Sequence, residues 1–322
     1  MSDFFKKVLS YLMIAFYTIM PTFTATYVDY KPAEDDVLFT VALISDTHLD
    51  YREYLLQGSL YYGLKNINRK IGQDIDALVV TGDLTNYGDV KSLDTYYKIM
   101  GKASPTRNIV TVSGNHDIGH VEDRDHDTAR ADFMQRLNAF MGTNYEHIYY
   151  STVINGYKFI VLGDEGDRWD RFTISEEQKA FLDSELKESA KDGKPVFVCC
   201  HWAMQGETGE PIVWDESGVQ NQDYHVKEIL EKYDNVFWLS GHMHEGLNND
   251  YIQNKLGFRW GNTTNGVNYI SLPTYGLVNQ YGVFWPCNGA IMEVYSDKIV
   301  FRARNFISGK EIDNCTLLFD LV

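Results

Sequence analysis

The chain has 322 residues, of which 44% are hydrophobic and 23% charged, a balance that excludes a disordered or collagen-like chain and supplies ample apolar material for a core. Acidic residues outnumber basic ones by 45 to 29, for a formal charge of −16. That is the wrong sign for gripping nucleic-acid backbones by counterion release, so no nucleic-acid duplex binding is expected, while local cations can still reverse the field for small phosphorylated ligands.

Lys6 and Lys7 precede an apolar run from Val8 to Met20, followed by Pro21 and the small residues Thr22, Thr24, Ala25 and Thr26. A basic start, a short apolar core and a small-residue exit are the order of a secretory signal. Residues 1–25 therefore read as a signal peptide, which predicts a secreted or cell-envelope protein. If Phe4 and Phe5 lengthen the run, the same segment reads as an N-terminal anchor, the one expected source of membrane contact. Phe23 makes a cut after Ala25 imperfect. Residues 26–36 read as a polar linker and 37–322 as one domain.

Within that domain six short apolar runs recur: Val37–Ser45, Ala77–Thr81, Ile109–Ser113, Phe159–Leu162, Val196–Cys200 and Val236–Ser240. They are rich in Val and Ile and alternate with helix-like stretches, which predicts α/β architecture with strands buried under helices. The clearest helix begins after Ser175, where Ser175 and Gln178 fit a capping box and Gly193 and Pro195 provide the stop. From Val267 onward the chain reads as strands and turns that close the molecule as an antiparallel sheet. Cys199 and Cys200 should point to opposite faces of one strand. Cys287 and Cys315 are compatible with one disulfide or with none.

Five of the runs lead directly into chemically capable residues: Asp46 and His48 (SDTHL), Asp83 (TGDLTNYGD), Asn115 and His116 (SGNHD), His201 (CCHWA), and His242 with His244 (SGHMH). Taken singly, a strand-end Asp is a helix cap or turn former, a lone His a satisfied side chain, and GNHD a plain turn. Together they place carboxylate, amide and imidazole at five strand ends, where ligands collect in open sheets. Mixed imidazole and carboxylate donors suit zinc, manganese or iron.

These five blocks resemble, in content and order, those of the calcineurin-like metallophosphoesterase superfamily: DTH at 46–48, GDLTNYG at 82–88, GNHD at 114–117, the histidine of CCHW at 201 and GHMH at 241–244. The resemblance implies a four-layer sandwich of two mixed β-sheets flanked by helices, and a catalytic domain over 37–322. It implies two divalent transition-metal ions (Mn, Zn or Fe), one held by Asp46, His48 and His244, the other by Asn115, His201 and His242, with Asp83 bridging. A solvent hydroxide shared by the ions would attack the phosphorus, and His116 would stabilise or protonate the leaving oxygen. Many members carry an aspartate where Asn86 stands, hydrogen-bonded to the catalytic histidine, so Asn86 is expected to orient His116 through its amide without holding it protonated. Purple acid phosphatases place a ligating tyrosine at the Asn86 offset and lack the first-block histidine; Tyr87 is one residue late and His48 is present, which disfavours a ferric–tyrosinate site.

The DTH and GDLT wording is similar to the class III cyclic-nucleotide phosphodiesterase-like branch, and it also occurs in phosphomonoesterases and nucleotide pyrophosphatases. The expected substrate is therefore a small phosphorylated molecule, a phosphodiester first. A non-catalytic scaffold on this fold would show missing ligands. Trp202–Asp223, with Trp202 and Trp214, and Asp164–Phe172, with Arg168, Trp169 and Arg171, could contact substrate by stacking or phosphate binding. Packing of Trp169 and surface pairing of both arginines with Asp164, Asp167 or Asp170 is the competing expectation. The acidic insert Val121–Asp127, with His120 and His126, reads as a solvated loop.

Overall fold

The computed structural model describes residues 27–29, 36–65, 67–71, 74–119, 125–169, 171–208, 223–244, 247, 259–276 and 287–322. The expected signal or anchor of residues 1–25, His120, residues 121–124 of the acidic insert and Trp214 lie outside them. Among the described residues no helix is long and apolar enough to cross a membrane.

The apolar runs become strands, and because each is covered on both faces its apolar residues are consecutive instead of alternating. Phe39–Ile44 (β2), Ala77–Val80 (β3) and Ile109–Thr111 (β4) lie parallel to one another. Tyr157–Val161 (β6), Val196–Cys199 (β7) and Val236–Ser240 (β8) form a second parallel set. The strands of the C-terminal third do not make a closing sheet of their own; they divide between these two. Asn288–Val294 (β11), Lys298–Asn305 (β12) and Glu311–Asp320 (β13) extend the first sheet antiparallel from β2. Val267–Ser271 (β10) pairs parallel with β8, and Gly261–Thr264 (β9) antiparallel with β10.

Two strands carry no apolar run to announce them. Tyr150–Ile154 (β5) forms a hairpin with β6 through Asn155–Gly156, both at positive φ, the two-residue turn that matches strand twist. It is an edge strand, exposed at Val153. Tyr27–Val28 (β1), inside the segment read as a linker, pairs antiparallel with β13. The strand orders are β1-β13-β12-β11-β2-β3-β4 and β5-β6-β7-β8-β10-β9. Both sheets are mixed, as the resemblance implies.

The helices are Tyr54–Lys65 (α1), Ile67–Ile71 (α2), Val90–Ala103 (α3), Asn115–Ile118 (α4), His126–Met141 (α5), Glu176–Ser189 (α6) and Asp223–Leu230 (α7). The two sheets meet through aromatic rings, Phe39 against Phe159 and Phe237 against Phe301, each pair with centroids 6.2 Å apart. Leu60 and Leu64 of α1, Leu93 and Tyr96 of α3 and Phe133 and Leu137 of α5 join the same core. A second cluster packs the other face of β7 and β8, at Val198 and Trp238, under Leu182 and Leu186 of α6 and Val226 and Leu230 of α7. Helix, sheet, sheet and helix make the four layers. Cys199 lies in the first cluster and Cys200 in the second, on opposite faces of β7 as the alternation requires. Cys287 and Cys315 are buried thiols with no disulfide between them.

Ser175 caps α6, accepting from the Gln178 amide nitrogen at 3.1 Å. The capping box is only half made, because the Gln178 side chain turns to Gly163, accepting from its N–H at 3.0 Å and donating to its carbonyl at 2.9 Å. The helix ends at Ala190, before Gly193. The acidic stretch ahead of α5 has a structural use in its described part: Asp125 is the N-cap, accepting from Thr128 N at 2.8 Å.

Candidate metal centre

The first sheet sends out Asp46 and His48 after β2, Asp83 after β3, and Asn115 and His116 after β4. The second sends out His201 after β7 and His242 and His244 after β8. Both sets leave the carboxyl ends of parallel strands, and the two edges converge on one site. The loops are cross-tied by main-chain bonds: Asp46 N to Gly82 O at 3.0 Å, His48 N to Asp83 O at 2.9 Å and Gly241 N to His201 O at 2.9 Å.

The backbone is forced into unusual shapes to aim these side chains. Asp46, His48, Asp83, His242 and His244 all sit at positive φ, between 44° and 68°. For non-glycine residues this region costs about 1–3 kcal/mol each and persists where surroundings over-determine it, commonly at functional sites. Gly114 and Gly241 let chains approach more closely than any side chain would permit. A Cβ at Gly114 would collide with Asp83 Oδ1 and N, and one at Gly241 with Ser45 Oγ.

Two donor groups result, each within ligand reach of a single ion: Asp46, His48, Asp83 and His244, and Asp83, His201 and His242. His244 Nε2 lies 3.0 Å from Asp46 Oδ1 and 2.9 Å from His48 Nε2, which is 3.5 Å from Asp83 Oδ2. In the second group His201 Nε2 is 3.3 Å from the same Asp83 Oδ2 and 3.2 Å from His242 Nδ1. Asn115 Oδ1 joins it, 3.2 Å from His201 Nε2 and 3.1 Å from His242 Nδ1. The site thus gathers all seven residues that the sequence singles out as ligands, and Asp83 is the member common to both groups.

The electrostatics fit cations. Burial opposes charge on Asp46, yet the rings of His244, His48 and His201 hold its carboxyl well below the usual range; Asp83 is likewise held low, by His201, His116 and His48. Burial lowers His48 to about 4 and His242 to about 3, so both present neutral nitrogen lone pairs, the form that ligates metals. Burial also opposes charge on His201, but Asp83 and Asp46 outweigh it and raise the ring to about 9. Two anionic carboxylates thus share a dry site with few positive partners, and its nitrogens face each other too closely for both to carry protons. Divalent ions resolve both problems. His201 Nδ1 donates to Thr81 O at 2.8 Å, the outer bond that fixes a ligating imidazole with Nε2 turned inward. His48 Nδ1 is buried without a partner among the described residues.

His116 lies beside this centre, Nε2 4.0 Å from Asp83 Oδ2, and its main-chain N–H donates to Asp83 Oδ1 at 2.9 Å. Its orientation is set differently from the sequence expectation. Nδ1 donates at 2.9 Å to the main-chain carbonyl of Asn86, so the side-chain amide is not what orients the ring. A carbonyl is present at any residue type, which is why side-chain identity at this offset misleads.

Two bracing residues escape the sequence reading. Asp117, buried on α4, accepts from Gly114 N (2.9 Å), Leu84 N (3.0 Å), Thr85 N (2.9 Å) and Thr85 Oγ1 (2.9 Å), tying the loop after β4 to the loop after β3. Burial and then the Asp83 charge push it up to about 6 against those donors. Its signal was the final letter of GNHD. Thr274 Oγ1 and Gly276 N both donate to the Asp46 carbonyl, at 3.2 and 3.0 Å. Nothing in SLPTYG marks that contact. Trp202 does not present a stacking face; it is buried, packed on His201, His242 and Phe172 with centroids 5.2, 5.7 and 5.0 Å away. Asp164 turns inward, accepting from Thr173 N and Gly166 N, while Trp169 is half exposed.

Comparison with known proteins bears on the family and the fold. The family model for calcineurin-like phosphoesterases matches residues 39–246. Two curated proteins, each named "Probable cyclic nucleotide phosphodiesterase", align over short stretches. The one from Ruthia magnifica is 40% identical over 76 residues, 23% of this chain and 32% of its own; the one from Vesicomyosocius okutanii is 32% identical over 81 residues, 24% and 34% respectively. The chain therefore spans about a third of the length of these relatives. A crystal structure of a dimetal phosphatase from Danio rerio superposes with a TM-score of 0.60 over 89% of this chain and 100% of the other at 17% identity, a likeness of fold.

Proposed function

The chain belongs to the calcineurin-like phosphoesterase family, and from that membership we propose that it is a metal-dependent phosphoric ester hydrolase acting on a small phosphodiester. The observation that carries the reading is Asp83, whose carboxylate belongs to both donor groups at the point where the two sheets converge. Asp46, His48 and His244 would hold one divalent ion together with Asp83, and Asn115, His201 and His242 would hold the other with it. When bound, such a pair polarises phosphoryl oxygens and acidifies water near neutral pH. The residues themselves position the reaction. His116 presents Nε2 toward the centre with Nδ1 pinned to the Asn86 carbonyl, an orientation from which Nε2 donates to a departing ester oxygen when it too carries a proton. Asp117 holds the two loops that carry Asp83 and His116 in register.

Preference for a diester is supported by the names of the two curated relatives and by the DTH and GDLT wording. The test is hydrolysis of bis(p-nitrophenyl) phosphate against p-nitrophenyl phosphate by chelator-treated protein, with manganese, zinc or iron restored. Faster turnover of the diester is expected; preference for the monoester would make the protein a phosphomonoesterase, and turnover of neither by the metal-loaded protein would refute the hydrolase reading. Export or anchoring through residues 1–25 is supported by Lys6, Lys7 and the apolar run behind them. An intact Met1 on protein from a soluble cytoplasmic fraction would overturn it.

A further inference from the structure

Trp202 follows the ligand His201 directly, where the chain leaves β7. The alternation of the strand carries on past its end, so Cys200 and Trp202 enter the apolar cluster under α6 and α7 while His201 between them faces the donor groups. The indole is 1% exposed and braced from behind. The Phe172 ring lies 5.0 Å from it, and the Trp202 carbonyl accepts from Trp238 Nε1 of β8 at 3.3 Å. The loop beyond it is latched as well. Glu207 accepts from Asn262 Nδ2 (3.1 Å) and Thr264 Oγ1 (2.6 Å) of β9 and pairs with Lys227 Nζ of α7 at 2.8 Å, and the same Nζ donates to Gln205 O at 2.9 Å. Resting on the two-ion reading above, we infer that Trp202 is a positioning residue for one ion alone, its indole being the wall that holds the rings of His201 and His242 in ligating orientation.

The front of the indole meets both rings. His201 stands edge-on to it at 5.2 Å and 82°, and His242 lies tilted at 5.7 Å and 36°. The two imidazoles meet each other at 5.0 Å and 75°, so the three rings interlock, and turning either imidazole about its Cβ–Cγ bond drives it into a neighbour. His201 has further restraints: the Thr81 carbonyl holds Nδ1, and a Cβ at Gly82 would collide with its ring. His242 turns its Nδ1 to the same group, 3.1 Å from Asn115 Oδ1 and 3.2 Å from His201 Nε2, and the indole packs along the ring that carries this nitrogen. An apolar wall orients the rings without adding an acceptor that would compete for their protons. The histidines of the other group are packed differently: His48 and His244 meet each other at 4.7 Å, and His48 meets His116 at 4.6 Å. Among the described residues the ligand rings that Trp202 touches are therefore those of the Asn115, His201 and His242 group. Partners that orient ligating imidazoles are typically worth about tenfold to a hundredfold in metal affinity.

Calorimetric titration of the chelator-treated full chain with manganese, resolved into two affinities, tests this; the ion concerned is identified as the one that Asn115→Ala weakens. Trp202→Leu should weaken that ion about tenfold to a hundredfold and the other by no more than about twofold, and Trp202→Phe, which keeps a ring, should restore most of the loss. Phe172→Leu removes the support behind the indole and serves equally if Trp202→Leu does not fold; it should weaken the same ion by about twofold to tenfold, the worth of one aromatic pair. Equal weakening of both ions, weakening of the other ion alone, or unchanged affinities beside a lower urea midpoint would make Trp202 ordinary packing and overturn the inference. If wild type binds a single ion, the two-ion reading itself fails and the positioning role falls with it.

Discussion

Replacing Gly114 with alanine isolates the close packing that aims Asp83. Gly114 sits at φ −104° and ψ 174°, extended backbone that alanine adopts without strain, so the only new element is the methyl group. That methyl would collide with both Oδ1 and the main-chain nitrogen of Asp83. Asp83 cannot retreat easily, since it is 1% exposed and its Oδ1 already accepts from His116 N at 2.9 Å. Overpacking of this kind costs about 1–3 kcal/mol. Tenfold in affinity is about 1.4 kcal/mol, so if the penalty falls on ion binding the weakening is roughly 5- to 150-fold. Gly142→Ala is the matched control. Gly142 ends α5 at φ 70° with nothing within 4 Å of a new Cβ, so alanine there meets backbone strain of about 1–2 kcal/mol and no neighbour. Calorimetric titration of chelator-treated protein with manganese should show weakened binding for Gly114→Ala and unchanged binding for Gly142→Ala, with urea melts showing the reverse emphasis. Wild-type manganese affinity in Gly114→Ala would refute the close-packing reasoning.

Asp164 gives a pH signature: burial pushes it up to about 7, against an unfolded value of about 3.9, so the folded state holds an extra proton between those values and loses stability as pH rises through that window. Asp164→Asn keeps an acceptor for Thr173 N and Gly166 N without titrating, so its stability relative to wild type should climb by a few kcal/mol from pH 4 to 7 and then level off; a pH-independent difference in urea melts would contradict the burial of an ionisable Asp164. His116→Ala should retain both ions yet lose about 10²–10⁴-fold in rate on alkyl esters, and much less on p-nitrophenyl esters, whose leaving group needs no proton; equal losses on both would assign His116 to phosphate positioning. Asn86→Ala should change the rate by no more than about twofold, because His116 is oriented by a main-chain carbonyl that alanine retains, and a collapse in activity would return the orienting role to the amide.

Legibility tracked the range of the interactions. The candidate ligands are readable because each comes after a strand buried on both faces, where a polar residue at the end of a Val- and Ile-rich run stands out, and because the five blocks keep a fixed order. β5 was not readable, since an edge strand with Val153 in solvent has no continuous apolar run. β1 was hidden in a polar stretch because its two residues are ordered by β13, far away in sequence. The C-terminal strands were legible as strands, but their division between two sheets is a choice of partner, and local pattern carries no information about partners. The same limit applies at the site: Thr274 braces Asp46 across 228 residues. Asn86 shows the converse, a position whose side chain invited interpretation while its main chain makes the contact.

Asp83 stands where two ions would share one carboxylate. Elemental analysis of purified protein saturated with manganese, for wild type and Asp83→Asn in parallel, tests it most directly. Wild type should hold about two ions per chain, because its donors outnumber what one tetrahedral ion can use, and Asp83→Asn should retain both ions more weakly. Wild type saturating at one ion, or Asp83→Asn losing one ion while holding the other with unchanged affinity, would contradict it.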